Sequence, residues 1–218
     1  MILWGYLLTF GWVFVIMALT TVLKKAVNLN DESSRKIVHI TVSFAWIPMY
    51  RFFGATWHLL VPALFFTVFN YLSFKFNILA AMERQDAEKK SLGTVYYAVS
   101  MAVMSLLCLW EESFLIPYGI GRFCMALGDG LAPIFGQIRK GNRYFFGGKR
   151  SLYGVLTVFL VCFAVAAVMA AVFSLPYGPV QFLLLAAGAT VLEFIGLKGF
   201  DNLTLPIGTC LLAWLLMR

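Results

Sequence analysis

The sequence predicts an all-α, polytopic integral membrane protein of about eight transmembrane helices, and three observations predict it. Of 218 residues, 61% are hydrophobic and only 12% are charged, against roughly 25% charged in an ordinary soluble domain. The apolar residues gather into eight stretches, most of them near the ~20 residues that a hydrocarbon core demands. The cations concentrate in alternate connections between those stretches. A chain of this length holds at most about eight or nine crossings, so residues 1–218 are expected to form one membrane domain.

In chain order the stretches cover roughly residues 2–23, 37–53, 58–80, 93–110, 113–135, 152–174, 178–197 and 204–217. The first opens MILWGYLLTF, with no positive n-region and no small-residue cleavage site, and Lys24 and Lys25 follow it. It reads as a span, not a removable signal. The polar run NLNDESSRK introduces the second, and the short turn Gly54 to Trp57 separates it from the third. The fourth follows the charged segment 81–92, the fifth follows Glu111 and Glu112, and the sixth follows the basic segment 136–151. Leu175 to Tyr177 turns the chain into the seventh; the eighth is the shortest and contains Pro206. No repeat period and no Pro/Ser-rich linker divides the chain. Cys108, Cys124, Cys162 and Cys210 lie singly in apolar runs without C-x-x-C spacing, so they are expected to pack, not to form disulfides or bind zinc.

Of the 17 Lys and Arg, 14 fall in or beside the four longer connections. By the positive-inside rule these connections face the cytoplasm, and the N-terminus lies outside. The net charge of +7 is thereby a topological signal, and nucleic acid is not an expected partner. Most of the six Trp lie near span ends, where aromatic rings anchor a helix in the interface.

Ionisable residues inside a span cost about 2.5 to 3.5 kcal/mol each on insertion scales and call for a partner or a task. Three qualify: Arg122, Asp129 and Glu193. Arg122 and Asp129 are seven residues apart, two helical turns and about 10 Å in height, so each can steady the other only through an intermediary. Asp129 and Glu193 are expected at a similar depth towards the cytoplasmic side. Two such carboxylates could hold Mg²⁺, which takes oxygen ligands and fills its shell with water and substrate phosphate. The competing reading is an internal ion pair with Arg122.

Around Asp129 the sequence reads GRFCMALGDGLAPIFGQ, with Gly128, Gly130 and Gly136 placed to let a ligand approach the backbone. The segment IRKGNRYFFGGKRSLYG then gathers Arg139, Lys140, Arg143, Lys149 and Arg150 with Gly148 and Ser151. Glycine-rich backbone opening a helix beside cations is an anion site, although such a loop also serves as a plain topological signal, and the Walker A spacing is missing. Arg35, Lys36 and His39 open the second span on overlapping helical faces, as a phosphate clamp, a proton carrier or a packing group. Asp201 and Asn202 either cap the last helix or add an oxygen ligand near Glu193.

The order R-K-x-x-H, G-D-G-x-A-x-x-x-G, a Gly/basic segment ending K-x-S-x-x-G, an intramembrane Glu and D-N-L-T-x-P resembles the dolichol, polyprenol and phytol kinase family. That family includes CTP-dependent diacylglycerol kinases and is distantly related to the phosphatidate cytidylyltransferases. The resemblance runs from Arg35 to Pro206 and is carried most specifically by ALGDGLAPIFG and FDNLTLP. It departs from the pattern at Arg150 and Tyr153, where the family usually reads K-S-x-E-G. The long C-terminal motif of the cytidylyltransferases is missing.

The resemblance implies transfer of the terminal phosphoryl group of a nucleoside triphosphate, CTP above all, to a polyprenol, phytol-like or diacylglycerol hydroxyl at the cytoplasmic face, with Mg²⁺ or Mn²⁺. It implies Asp129 as metal ligand, Glu193 and Asp201 as further ligands or as the proton acceptor, and His39 in the catalytic group. Arg35, Lys36, Lys149, Arg150 and Ser151 would grip the phosphates, with Asn202 beside the nucleotide. Gly128, Gly130, Gly136 and Gly148 would give the backbone room. The rival readings are CDP-lipid synthesis and a small lipid transporter.

Overall fold

The structure, a computed structural model, describes residues 1–76, 92–138, 142–145, 150–196 and 199–218. Gly148, Lys149, Arg139 and Lys140 lie outside the described residues.

Helix α1 (Ile2–Val27) buries Gly5, Thr9, Val13, Met17 and Thr20, a stripe repeating every three or four residues. Leu3, Leu7, Val15 and Val22 face outward on its other side, as a helix bathed in lipid requires. It ends at Asn28 in the left-handed conformation, φ 50°, where Asn is among the few residues at ease. Helix α2 (Asp31–Ser43) starts from Asn30, whose side chain accepts the Ser33 N–H at 2.7 Å. Asp31 and Glu32 in its first turn complement the helix dipole.

The expected second span is not one helix. It stops at Ser43, turns through Phe44 and Ala45, and restarts as α3 (Trp46–Phe53). Pro48 explains the break, because it has no N–H to offer the Phe44 carbonyl and its ring opposes that carbonyl, whereas in the first turn of a new helix it costs nothing. A single turn (Trp57–Leu59) leads into α4 (Leu60–Phe76), and α5 (Gly93–Trp110) is joined by the turn Glu112–Phe114 to α6 (Leu115–Gly136). A two-residue ribbon, β1 (Tyr144–Phe145) against β2 (Arg150–Ser151), pairs Tyr144 with Ser151 and Phe145 with Arg150, antiparallel. Helices α7 (Leu152–Phe173), α8 (Pro179–Ile195) and α9 (Asp201–Leu216) complete the chain.

Among the described residues, four helical segments are long and apolar enough to cross a membrane: Ile2–Val27, Trp57–Phe76, Gly93–Trp110 and Leu152–Phe173. Helices α8 and α9 are shorter and apolar. Helix α6 is the centre of the molecule, buried on every side from Leu115 to Ala126 and packed against α7, α9 and α2. Small residues make this possible, since backbones approach closely only where a side chain is missing. Gly119 lies under the Trp46 ring and Gly121 against the Pro206 carbonyl, places where a Cβ would collide. The main core gathers around α6, with Met49, Leu59, Met104, Tyr118, Leu185 and Leu205 fully buried. All four cysteines are buried and free. A second, smaller core of Val13, Met17, Val38, Ala45, Phe66 and Ala98 lies between α1, α2, α4 and α5.

Candidate active site

Asp129 sits on the face of α6 turned towards α2. Lys36 donates to its Oδ2 at 2.5 Å and to its main-chain carbonyl at 2.8 Å. His39, one turn further along α2, holds Nε2 3.8 Å from the same Oδ2, and its ring lies 5.0 Å from that of Tyr97. Arg35 pairs with Glu32 at 2.7 Å. The i, i+3 spacing of Lys36 and His39 is what brings both to one carboxylate.

A second charged pair faces this one. Arg150 of β2 donates to the Glu193 carboxylate, to the Glu193 carbonyl at 2.7 Å and to the Gly196 carbonyl at 3.0 Å. A guanidinium there adds a second donor to the Glu193 carbonyl, which also accepts the Gly196 N–H at 3.2 Å, and matches the negative end of the α8 dipole. Ser151 caps α7 by accepting the Gly154 N–H at 3.1 Å.

Two cavities meet at Asp129. A polar cleft of about 710 Å³ is lined by Asp129, Pro133, Gly136, Gln137, Tyr144, Arg150, Ser151 and Glu193. A narrow apolar slot of about 60 Å³ runs between α1, α2, α4, α5 and α6, walled by the second core and lined as well by Arg35, Lys36, His39 and Asp129. Its residues also carry buried polar atoms without hydrogen-bond partners: Thr9 Oγ1, Arg35 Nε, His39 Nε2, Tyr97 OH and Arg122 Nε. Buried polar atoms are ordinarily satisfied, so their concentration on one slot sets it apart from an ordinary packing gap.

The expected site residues therefore divide. Asp129, Glu193, Gly136, Arg150 and Ser151 line the cleft, whereas Arg35, Lys36, His39 and Asn202 line the slot. Asn202 is engaged in structure, its Nδ2 donating to the Gly93 carbonyl at 2.9 Å. Gly128 and Gly130 belong to helix packing. A Cβ on Gly128 would touch Val158 at 3.5 Å, and one on Gly130 would strike Ile40 at 2.5 Å. Asp201 stands beside Gly196 and accepts the Asn202 N–H at 2.9 Å with Oδ1, at the start of α9. It interacts electrostatically with Asp129, as Glu193 does. Among the described residues no three His, Cys, Asp or Glu side chains converge as metal ligands, and Asp201 is not in the cleft lining. The donor set that does face the cleft is Asp129 with Glu193.

Arg122 does not pair with Asp129. It is fully buried, donates to the Val42 carbonyl at 2.9 Å and to Met49 Sδ at 3.6 Å, and lies 5.9 Å from the Tyr97 ring centre. The Val42 carbonyl lies in the last turn of α2, before the break, so the helix end serves as the counter-dipole. Sequence reasoning did not single out Tyr97 of the slot or Tyr144 of the cleft. Both are tyrosines in aromatic-rich segments and carry no local mark. Asn70, whose Nδ2 donates to the Thr94 carbonyl at 2.9 Å, was visible as an amide in an apolar span.

A bundle with several membrane-length helices, closed around a buried charged cluster with a polar cleft on one side and an apolar slot on the other, defines an integral membrane protein with an internal polar site. The chain is 33% identical over 210 residues to the phytol kinase of Synechocystis sp., a match covering 91% of this chain and 85% of that protein. It is 30% identical over 209 residues to probable phytol kinase 1, chloroplastic, of Oryza sativa subsp. japonica, covering 86% of this chain and 65% of that one. For probable phytol kinase 2, chloroplastic, of Glycine max the identity is 29% over 201 residues, covering 86% and 66%. The chain belongs to the phytol kinase family. No protein-family model matches it, and no solved structure matches it significantly.

Proposed function

We propose that this protein is a membrane lipid-alcohol kinase that moves the terminal phosphoryl group of a nucleoside triphosphate, with CTP as donor, to the hydroxyl of a phytol-like alcohol. One observation carries the reading: Asp129 lines both the polar cleft and the apolar slot. A nucleotide needs the first and a hydrocarbon chain the second, and phosphoryl transfer needs their reacting ends in line at one point.

The cleft takes the triphosphate, with Arg150, Ser151 and Gly136 on its wall and Lys149 and Gly148 in the adjoining segment. Asp129 and Glu193 would hold Mg²⁺, which commonly takes one or two carboxylates and completes its shell with phosphate and water. When bound it neutralises charge on the phosphates. Lys36 fixes the Asp129 carboxylate, and Arg150 fixes that of Glu193.

The acceptor hydroxyl lies beside His39 Nε2, which is 3.8 Å from Asp129 Oδ2; its single proton points at Nε2, while Oδ2 accepts from Lys36. With the ring proton on Nδ1, Nε2 accepts the hydroxyl proton as the alcohol oxygen attacks the terminal phosphorus. The new O–P bond forms as the bond to the bridging oxygen breaks, and the nucleoside diphosphate leaves. Eight crossings, counting α2 and α3 as one, with the N-terminus outside and Asp129 near the cytoplasmic face, agree with the placement of Lys24, Lys25, Arg35, Lys36, Arg143 and Arg150 at one end of the bundle.

The test is label position: purified protein, Mg²⁺, phytol and related alcohols, and CTP labelled at the α or the γ phosphate. Label from the γ position in the lipid is expected. Label from the α position would make the protein a cytidylyltransferase, and no transfer from CTP, ATP or UTP would overturn the kinase reading.

A further inference from the structure

We infer that the slot holds a monatomic anion, a halide in contact with the Arg122 guanidinium, at its end away from Asp129.

Three basic side chains, Arg35, Lys36 and Arg122, line the slot together with one carboxylate, Asp129. Lys36 is paired with Asp129 and Arg35 with Glu32, and His39 faces Asp129. Arg122 is left over: it is fully buried, and among the described residues no carboxylate pairs with it. It cannot escape by giving up its proton, because arginine stays charged in proteins. The Val42 carbonyl, Met49 Sδ and the Tyr97 ring are all neutral neighbours, whereas a buried charge ordinarily takes a counter-charge.

The donors for such an ion are in place. Arg122 Nε, Tyr97 OH and Thr9 Oγ1 belong to three different helices, line the slot and have no hydrogen-bond partner. The Arg122 guanidinium carbon lies 5.9 Å from the centre of the Tyr97 ring. A helical threonine commonly donates its hydroxyl to the carbonyl one turn back, as Thr21, Thr41 and Thr67 do. Thr9 does not, and its hydroxyl is left for the slot.

Size and wall chemistry select the kind of anion. The slot measures about 60 Å³, and a water takes up about 10 to 15 Å³ of such space, so one halide fits with two or three waters. Phosphate or sulfate brings four oxygens that each call for donors. Beyond the three donors named, this end of the slot offers the apolar Val13, Met17, Val42, Ala45, Met49 and Met101. A halide needs few donors and rests its remaining surface on methyl and thioether groups. It enters from the polar cleft, because Asp129 lines both cavities and the slot carries Lys36 and Arg35 beside it, where positive charge concentrates anions. Phosphoryl transfer as described above uses neither Arg122 nor Tyr97 nor Thr9, so the ion site stands or falls independently of the kinase reading.

The test is thermal unfolding of the whole protein in detergent, with sodium chloride or bromide exchanged at constant ionic strength for sodium gluconate, whose anion is too large for the slot. The melting temperature is expected to rise saturably with either halide, by about 3 °C or more at about tenfold above half-saturation. In Arg122→Gln the rise is expected to vanish. In Tyr97→Phe, which keeps the ring and loses the hydroxyl donor, the half-saturating halide concentration is expected to be about fivefold higher.

A rise of the same size in Arg122→Gln, an unchanged half-saturation in Tyr97→Phe, or no halide dependence in the unaltered protein would overturn the inference and leave the slot to water. Should Arg122→Gln fail to fold, bromide in crystals of the unaltered protein decides. Anomalous density against Arg122 Nε is expected, and bromide bound only elsewhere, or nowhere, overturns the site.

Discussion

Lys36 reaches Asp129 across 93 residues of sequence and binds it twice, at the carboxylate and at the main-chain carbonyl of the same residue. The second bond ties the α2 lysine to the α6 backbone, so the carboxylate is fixed relative to the helix and not only neutralised. Removing one member of a largely buried pair leaves an uncompensated charge. Lys36→Met is expected to cost about 3 kcal/mol of stability, and adding Asp129→Asn is expected to return most of it. Thermal unfolding of the four proteins in detergent gives this cycle, and additive losses would show that the two residues are not coupled.

Asp129→Asn by itself keeps the shape and an oxygen for Lys36 but removes the charge. Turnover of labelled CTP into phosphorylated lipid is expected to fall at least ~100-fold, with the protein still folded. Near-normal transfer would remove Asp129 from the reaction.

Arg150 holds three acceptors at the end of α8 from a ribbon that also lines the cleft. A lysine is a point charge without the planar fork, so Arg150→Lys is expected to lower the melting temperature and weaken nucleotide binding about tenfold, each measured by titration in detergent. Equal affinity in both proteins would show that the ribbon does not shape the cleft.

The glycines of α6 differ in what surrounds them. Gly121→Ala meets the Pro206 main chain, which cannot move aside, whereas Gly128→Ala makes only ordinary contact. The first is expected to destabilise by about 1 to 3 kcal/mol, the second by less than ~1 kcal/mol. Gly130→Ala meets the Ile40 side chain and is expected to recover with Ile40→Ala. Melting temperatures rank the four proteins.

At the opposite end of the bundle, Glu111 accepts from Ser113 Oγ at 2.6 Å and pairs with Arg218, whose guanidinium lies 3.8 Å from the Trp214 ring centre. The Ser113 hydroxyl, then Arg218, holds the Glu111 carboxyl below the usual range. The folded value being depressed, this contribution is present above the ordinary carboxylate range and is lost as pH falls through the lower folded value. Trp214 emission is expected to change on acidification below about pH 4 in the native protein and not in Glu111→Gln.

Much of the fold is legible in hydropathy alone, because a chain in lipid must put backbone polarity inside helices. The stretches 93–110 and 152–174 correspond closely to α5 and α7. The break before Trp46 was masked by unbroken apolarity, and Pro48 was its one mark. Asp129 and Glu193 were legible as carboxylates out of place, and both face one cleft. Their partners were not: a sequence shows that Lys36 is a cation, but which of several carboxylates it meets depends on how α2 leans on α6. The glycines around Asp129 read equally well as room for a ligand and as room for a neighbouring helix, and only packing distinguishes Gly136 from Gly128 and Gly130.

The interrupted helix has a consequence for how this chain can change. The Val42 carbonyl, which accepts the Ala45 N–H at 3.0 Å where α2 ends, takes the Arg122 guanidinium as a second donor, and the fully buried Arg122 pairs with no carboxylate among the described residues. A substitution that straightened α2 into α3 would turn that carbonyl along the helix axis and leave the buried cation with one acceptor fewer. A substitution of Arg122 would remove the second donor and leave the Ala45 N–H as that carbonyl's partner. The bend before Trp46 and the buried arginine are thus packed as one unit, so that a change at either is felt at the other.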